Sequence, residues 1–257
     1  MLSYQHLYHA GNLADLHKHA VLAHVLAYMT RKDKPLSYIE THSGRGLYDL
    51  AAPEAVRTGE AAKGIEAHGD WVADQPLGAA LAEVRATRGP RAYPGSPLIA
   101  RSLLRPGDRL HLAELHPKEH DILRDALRAP NVRCYRQDGF SLALSLCPPD
   151  PRRGVLLVDP SWEIKTDYTT VPGFLARVHR IWNVGVLLLW YPVLEGGPHV
   201  PMLRALRAEL PESLVSEVRF PPARDGHRMV GSGMVVVNGP WDLAQTLAPL
   251  EARFAAL

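Results

Sequence analysis

The hydrophobic and polar positions of this chain follow two alternating periods, one typical of helices and one typical of buried strands. From residue 12 to about residue 32, apolar side chains recur near helical spacing, and Pro35 ends the segment. Residues 36–41 are then predicted to form a buried strand. Further helices are predicted at 97–104, 118–127, 140–146, 171–182 and 200–210, and further strands at 110–115, 132–136, 154–159 and 184–190. This alternation predicts a parallel sheet with helices on both faces.

Two segments depart from the alternation. Residues from about 47 to 92 are rich in alanine, glycine and charge, and short helices are predicted near 61–71 and 77–88. We interpret this segment as a helical insertion in one domain that spans residues 1–257. Strands at 214–220 and 234–237 have no helix between them, so they must pair antiparallel. A mostly parallel sheet that ends in an antiparallel hairpin favours an α/β, Rossmann-like methyltransferase fold over a flavodoxin-like one.

Composition and charge restrict the function only slightly. The chain has 29 Lys and Arg against 27 Asp and Glu, and this net charge of +2 does not by itself indicate a nucleic-acid partner. The two cysteines, Cys134 and Cys147, form no C-x-x-C pair, so neither a zinc site nor a disulfide framework is suggested. The chain start lacks a signal-peptide pattern, and no apolar stretch reaches membrane-spanning length. We therefore expect a soluble, cytoplasmic protein.

The sequence Asp159-Pro160-Ser161-Trp162 follows a predicted apolar strand and carries the most specific chemistry. The exocyclic amino group of a nucleobase is a poor nucleophile because its lone pair is delocalised into the ring. A carboxylate and a rigid backbone carbonyl can each accept one of its N–H groups and so expose the lone pair, and proline supplies that rigidity. The ring of Trp162 offers a stacking surface to a flipped base. The alternative is an ordinary turn with Trp162 in the core.

Three other polar positions follow predicted strands in order. The small residues in Thr41-His42-Ser43-Gly44-Arg45-Gly46 allow a cofactor to approach the backbone closely, although a lone G-x-G is weak evidence. Glu114 is placed to accept the ribose hydroxyls of an adenosyl group, and Asp138-Gly139 follows the next strand. The alternatives are a surface glutamate and a helix-capping aspartate. The order of these positions, more than any one of them, indicates a cofactor site.

Histidines are frequent near the start of the chain, but their spacing does not indicate a metal site. The residues concerned are His6, His9, His17, His19 and His42. They form no H-E-x-x-H motif and have no matching carboxylate pattern. We therefore expect no metal ion, and we interpret these side chains as hydrogen-bonding imidazoles.

Several longer motifs occur along the chain. The first is Leu2-Ser3-Tyr4-x-His6-x-x-His9-Ala10-Gly11-Asn12-x-Ala14-Asp15-x-x-Lys18-His19, which is long and specific. The others are Thr41-His42-x-Gly44-x-Gly46, Tyr93-Pro94-Gly95-Ser96-Pro97, Glu114-Leu115-His116-Pro117, Asp138-Gly139-Phe140, Lys165-Thr166-Asp167-Tyr168, Trp190-Tyr191-Pro192 and Ser232-Gly233-Met234. Together these motifs strongly resemble the RlmJ family, the bacterial 23S rRNA adenine-N6 methyltransferases of the class I fold, and the resemblance covers nearly the whole chain.

The resemblance implies S-adenosylmethionine as the cofactor, 23S rRNA as the partner and adenine N6 as the methylated atom. The cofactor would be held by residues that match those of the family: His19, His42, Gly44, Ser96, Glu114, Asp138, Gly139 and Asp159. Asp159 would also be the catalytic carboxylate. The substrate would contact Tyr4, His6, Lys18 and Trp162, and the insertion would help to grip RNA. Related enzymes commonly have Asp-Pro-Pro-Tyr, so Ser161 and Trp162 are departures that bear on turn geometry and rate.

Two other functions remain open at this point. A DNA amino-methyltransferase would use the same Asp-Pro-x-aromatic chemistry, although the N-terminal motif argues against it. The second alternative is a non-catalytic RNA-binding member of the family, suggested by Ser161, which departs from the usual Asp-Pro-Pro-Tyr motif. The exact nucleotide, the form of the rRNA substrate and the oligomeric state are left open, with a monomer favoured.

Overall fold

A seven-stranded sheet organises the protein, whose computed structural model describes residues 5–224 and 226–257. The strands are β1 Ser37–Glu40, β2 Leu47–Asp49, β3 Ala92–Pro94, β4 Arg109–Ala113, β5 Val132–Tyr135, β6 Gly154–Val158, β7 Val186–Leu194, β8 Leu214–Arg219 and β9 Met229–Val237. The helices are α1 Leu13–Thr30, α2 Pro53–Thr58, α3 Glu60–Lys63, α4 Ile65–His68, α5 Pro76–Arg88, α6 Ser96–Leu103, α7 Pro117–Ala126, α8 Gly139–Leu146, α9 Asp167–Ile181, α10 His199–Glu209 and α11 Leu243–Ala255. Short 3₁₀ turns cover His6–Tyr8 and Gly69–Val72.

The order of strands in the large sheet is β5-β4-β1-β6-β7-β9-β8. The five strands from β5 to β7 run parallel, and β9 pairs antiparallel with both β7 and β8. This is the predicted mostly parallel sheet ending in an antiparallel hairpin, so the predicted fold class is confirmed. Because β1, β4, β5 and β6 run in the same direction, the residues that follow them meet at one edge of the sheet.

Helices cover both faces of the sheet and divide the core in two. Leu157 of β6 and Leu188 of β7 pack in one core cluster, together with α1, α6 and α11. Val158 and Leu189, the next residues on each strand, pack in the other cluster with α8, α9 and α10. Side chains of a strand alternate between its faces, so buried strands such as β6 are apolar along their whole length.

The segment between β1 and α6 contains α2, α3, α4 and α5, enclosed by the antiparallel pair of β2 and β3. The continuous helix predicted near 61–71 is wrong, because Gly64 separates α3 from α4 and a 3₁₀ turn follows. A Cβ atom at Gly64 would lie 2.2 Å from the carbonyl oxygen of Gly11, so the backbone passes directly against the N-terminal segment. The treatment of 47–92 as an inserted unit stays a prediction.

Three boundaries near the end of the chain differ from the prediction. β7 begins at Val186 and continues to Leu194, and β9 begins at Met229, because the two strands pair along almost their full length. The helix α11 has no counterpart in the predicted elements.

Within the described part of the chain, no helix is both long enough and apolar enough to cross a membrane.

Candidate active site

A cavity of about 850 Å³ opens at the edge of the sheet where the parallel strands end. Every predicted site residue that the structure describes lines this cavity: His6, Lys18, His19, His42, Gly44, Ser96, Glu114, Asp138, Gly139, Asp159 and Trp162. Tyr4 lies outside the described residues. The structure therefore brings together side chains that are up to 156 residues apart, from His6 to Trp162. Their individual roles remain predictions.

Two glycines allow the backbone to pass closely along the floor of the cavity. Gly44, in the turn after β1, has a φ of +58°, which is the left-handed region that other residues rarely adopt. Gly139 begins α8, and a Cβ atom there would lie 1.8 Å from the carbonyl oxygen of Thr41. No larger residue fits at that position without moving β1 and α8 apart. A Cβ atom at Gly44 would lie 2.5 Å from the Tyr48 hydroxyl, so both glycines permit close packing of the protein at the strand ends.

Glu114 follows β4 and connects two of the loops around the cavity. Its carboxylate accepts hydrogen bonds from the backbone N–H of Gly44 at 2.8 Å and from that of His116 at 2.7 Å. Burial raises the pKa of Glu114, and the two backbone N–H donors oppose that shift. Each oxygen retains lone pairs for a further donor, so the carboxylate can bind a ligand hydroxyl while it orders the Gly44 turn.

Polar atoms without a partner face the same cavity. Within the described part of the chain, Ser43 Oγ and His19 Nε2 are buried and form no hydrogen bond. Both residues line the cavity. The other nitrogen of His19, Nδ1, lies 2.8 Å from the Tyr93 hydroxyl, which fixes the ring. Burial of unsatisfied polar atoms is costly, so these atoms indicate a polar ligand.

Burial also makes two of the histidines neutral. It lowers the pKa of His42 to about 4 and that of His19 to about 3. His42 Nδ1 lies 2.7 Å from Thr41 Oγ1, and its ring packs edge-on against Phe140. Asp138 caps the start of α8 by accepting the backbone N–H of Ser141 at 2.8 Å. Asp138 therefore caps the helix α8 and also lines the cavity.

A charge cluster around Lys18 also lines the cavity. Lys18 Nζ lies 2.7 Å from Asp159 Oδ2 and 3.0 Å from Asp15 Oδ1, and the Lys18 side chain is 5% exposed. Burial acts to lower the pKa of Lys18, but the two carboxylates raise it well above its usual value. Asp15 also accepts the Gly11 backbone N–H at 2.9 Å and contacts His6 Nε2 at 2.9 Å. The cluster anchors the N-terminal segment beside Asp159.

Sequence reasoning missed Glu40, the last residue of β1. Its fully buried carboxyl group accepts hydrogen bonds from the hydroxyls of Tyr38 and Ser96. Burial raises the pKa of Glu40 to about 8, although both hydrogen bonds act in the opposite direction. Glu40 thereby orients Ser96, which lines the cavity. The sequence signal that could have identified Glu40 was an acidic residue near the end of a predicted buried strand.

Trp162 borders the cavity but offers it little surface. It is 6% exposed, has a φ of +59° and packs against the ring of Tyr168 with centroids 4.7 Å apart. Its indole Nε1 is buried without a hydrogen-bond partner in the described part of the chain. Both interpretations of this residue, core packing and contact with a ligand, are therefore compatible with its position.

Comparisons with known proteins agree with this geometry. The family model described as "Ribosomal RNA large subunit methyltransferase D, RlmJ" matches residues 33–253. The chain belongs to the RlmJ family of methyltransferases. It is 39% identical over 255 residues to "Ribosomal RNA large subunit methyltransferase J" of Escherichia coli (strain K12), covering 96% of this chain and 90% of that protein. The protein of the same name from Haemophilus influenzae is 38% identical over 251 residues, covering 95% and 89%.

A solved structure supports the same assignment at the level of the fold. Protein LPL1258 from Legionella pneumophila is 33% identical and superposes with a TM-score of 0.86, covering 96% of this chain and 93% of its own. The predicted resemblance to the RlmJ family and the prediction of a methyltransferase enzyme are therefore confirmed. Among the described residues, no group of three or more His, Cys, Asp or Glu side chains is arranged to hold a metal ion.

Proposed function

We propose that this RlmJ-family methyltransferase transfers a methyl group from S-adenosylmethionine to N6 of an adenine in 23S rRNA. The observation that carries the proposal is the position of Asp159, held by Lys18 at 2.7 Å and followed by Pro160 on the cavity wall. The names of the two relatives from Escherichia coli and Haemophilus influenzae support rRNA as the substrate. The choice of adenine N6 rests on the family resemblance and on the chemistry of the Asp159-Pro160 pair.

The glycine-lined end of the cavity fits the proposed cofactor. Gly44 and Gly139 pack closely against the Tyr48 hydroxyl and the Thr41 backbone, while Ser43 Oγ and His19 Nε2 are polar atoms without a hydrogen-bond partner among the described residues. The residues that would hold S-adenosylmethionine are His19, His42, Gly44, Ser96, Glu114, Asp138, Gly139 and Asp159. Glu114 would bind the ribose hydroxyls, as is common for an acidic residue in this position. When bound, the cofactor supplies a methyl group already activated on a sulfonium.

The protein's own task is to prepare the amino group of the base. The Asp159 carboxylate and the Pro160 carbonyl would each accept one N–H, which localises the nitrogen lone pair toward the donor. Lys18 holds Asp159 in one orientation through a hydrogen bond of 2.7 Å from its Nζ to Asp159 Oδ2. Placement of the reactants provides much of the rate enhancement, since the donor needs no further activation. After transfer the nitrogen is cationic and loses its proton readily, so a strong general base is unnecessary.

The proposed substrate-binding residues that the structure describes line the same cavity. His6 and Lys18 meet there through Asp15, and Trp162 closes the cavity near Asp159. Tyr4, two residues before His6, is proposed to contact the target nucleotide. The segment 47–92 is proposed to bind RNA phosphates beyond the cavity.

The proposal is tested by mapping modified nucleosides with mass spectrometry. 23S rRNA from cells that carry or lack this gene should differ by one N6-methyladenine, which purified protein restores on an unmodified transcript when S-adenosylmethionine is added. Methylation of DNA instead of rRNA would favour the amino-methyltransferase alternative. Binding of S-adenosylmethionine without turnover on any RNA would favour the non-catalytic alternative.

We expect Glu114→Ala to weaken the binding of S-adenosylmethionine and S-adenosylhomocysteine by roughly 10- to 100-fold, as for loss of a charge-assisted hydrogen bond. The change also leaves the backbone N–H groups of Gly44 and His116 without their acceptor, so the melting temperature should fall slightly. Isothermal titration calorimetry measures the affinity. Glu83→Ala, an exposed glutamate of α5, is the control. Unchanged affinity in Glu114→Ala would remove this residue from the cofactor site.

A further inference from the structure

The C-terminal part of β7 forms an apolar wall of the cavity that the proposed function has not used. The pairing of β6 with β7 ends at Val158 and Leu189, but β7 continues to Leu194. Trp190, Pro192 and Leu194 alternate along this extension and therefore share one face of the strand. All three line the cavity, as does Met229, which pairs with Leu194 from β9. A wall of this kind is suited to the flat, apolar face of a base.

Trp190 lies at the inner end of this wall, next to Asp159. The register of β6 and β7 places Asp159 and Trp190 one residue beyond the last pair, on the same side of the sheet. Lys18 confirms this proximity, because its Nζ lies 2.7 Å from Asp159 Oδ2 and 5.3 Å from the centre of the Trp190 ring. The half-buried indole and the carboxylate thus border the same small volume.

A hydrogen bond at the indole nitrogen fixes the orientation of the Trp190 ring. Trp190 Nε1 donates a hydrogen bond to Ser232 Oγ at 3.0 Å, and Ser232 is fully buried. His17 Nδ1 lies 3.0 Å from the same hydroxyl, and burial lowers the pKa of His17 to about 3, so this imidazole is neutral. These contacts connect two motifs of unassigned role, Trp190-Tyr191-Pro192 and Ser232-Gly233-Met234. A ring held in one orientation is a preorganised surface, which lowers the entropic cost of binding.

Trp162, the ring first expected to stack on the base, is less available. It is 6% exposed and packs against Tyr168, whereas Trp190 is only partly buried. Of the two tryptophans beside Asp159, Trp190 therefore presents more surface to the cavity.

We propose that Trp190 is the main stacking surface for the target adenine, and that Pro192 and Leu194 extend the apolar contact toward its ribose. The inference rests on the proposed function, since it assigns the base half of the same cavity. Ser232 is the positioning residue for the indole. Stacking on Trp190 brings the exocyclic amino group of the base to the side where Asp159 and Pro160 accept its N–H groups.

The test compares Trp190→Leu, which keeps an apolar side chain but removes the ring, with Trp190→Phe, which keeps a ring. The first probe is adenosine 5′-monophosphate, titrated by calorimetry while S-adenosylhomocysteine saturates the cofactor site. Trp190→Leu should weaken this binding by roughly 5- to 150-fold, as for loss of one base–aromatic stack, and Trp190→Phe should restore most of it. Trp241→Leu is the matched control, because Trp241 is 83% exposed and does not line the cavity.

The second measurement is single-turnover methylation of unmodified 23S rRNA transcript. We expect Trp190→Leu to lower the rate at saturating RNA and cofactor, with unchanged affinity for S-adenosylhomocysteine. Ser232→Ala keeps the indole ring but removes the acceptor of its N–H. This variant should bind adenosine 5′-monophosphate about two- to tenfold more weakly. If Trp190→Leu lowers the melting temperature, Ser232→Ala and Trp190→Phe provide the same comparison in folded proteins.

Two results would overturn the proposal. One is a Trp190→Leu protein that binds the nucleotide and methylates RNA as the wild type does. The other is a loss confined to S-adenosylhomocysteine affinity, which would place the ring in the cofactor half of the cavity. A wild-type protein that methylates no adenine would refute the proposed function instead, and nucleotide binding would still report on Trp190.

Discussion

Replacing Asp159 by alanine should slow methyl transfer at saturating cofactor by roughly two to three decades. The carboxylate contributes most when the attacking nitrogen becomes positive, and only interactions that are stronger in the transition state accelerate the reaction. Asp159→Asn should retain slow transfer, because the amide oxygen still accepts a hydrogen bond. The Ala variant should also fold, since Lys18 keeps its contact with Asp15 at 3.0 Å. Single-turnover methylation of 23S rRNA transcript measures the rate.

Cofactor affinity must be measured on the same proteins, because Asp159 is proposed to border the cofactor as well as the base. Asp121→Ala, on the exposed face of α7, is the control for loss of an aspartate away from the cavity. An Asp159→Ala protein as fast as the wild type would remove this residue from the mechanism. Loss of affinity with an unchanged rate at saturation would restrict it to binding.

The arrangement of the parallel strands follows from short-range patterns that the sequence displays directly. The strand predicted at 36–41 corresponds to β1, Ser37–Glu40, and that at 154–159 to β6, Gly154–Val158. Both are short segments bounded by turn residues, and the second contains the apolar run 155–158, so local patterns suffice to find them. Their parallel direction then places Gly44, Glu114, Asp138 and Asp159 at one edge of the sheet. This is why an ordered set of polar residues at strand ends predicted a site that the structure gathers in one cavity.

The helix α11 shows where local patterns are insufficient. Pro249 lies inside it, and proline in a helix interior is a local argument against helix formation. The helix forms because Leu243, Leu247, Leu250 and Phe254 are buried against the sheet and α1. Most helical stability in proteins comes from such packing and not from propensity.

The charge cluster beside Asp159 was equally hidden in the sequence. Lys18 and Asp159 are 141 residues apart, and nothing in either motif specifies that the two side chains meet. The same holds for Trp190 and Ser232, which are 42 residues apart. Sequence patterns located the ends of the strands, but only the packing of α1 against the sheet determines which side chains face each other there.

Replacing Lys18 by methionine should destabilise the protein strongly while keeping a long, unbranched side chain. The variant leaves the buried Asp15 and the partly buried Asp159 without their shared cation; breaking a fully buried ion pair costs roughly 3–5 kcal/mol, which is an upper bound here because Asp159 is 13% exposed. For a chain of this size, that loss lowers the melting temperature by about 2–4 °C per kcal/mol. Methyl transfer should fall as well, because Asp159 will lose the ammonium group that fixes its orientation. Thermal unfolding and single-turnover methylation measure the two effects.

A double variant distinguishes the effect of losing the lysine's charge from the effect of changing the shape of its side chain. Asp15→Asn removes one of the two negative charges but keeps an oxygen that can accept the Gly11 backbone N–H. If unpaired carboxylates cause the instability, Lys18→Met combined with Asp15→Asn should be more stable than Lys18→Met alone, and the two changes should be non-additive. Methyl transfer should recover less than stability, because Asp159 still lacks the ammonium that orients it. Lys118→Met, an exposed lysine of α7, should change neither quantity. A Lys18→Met protein with wild-type stability would mean that the cluster is not a stabilising ion pair, and wild-type activity in that protein would mean that Asp159 does not need Lys18.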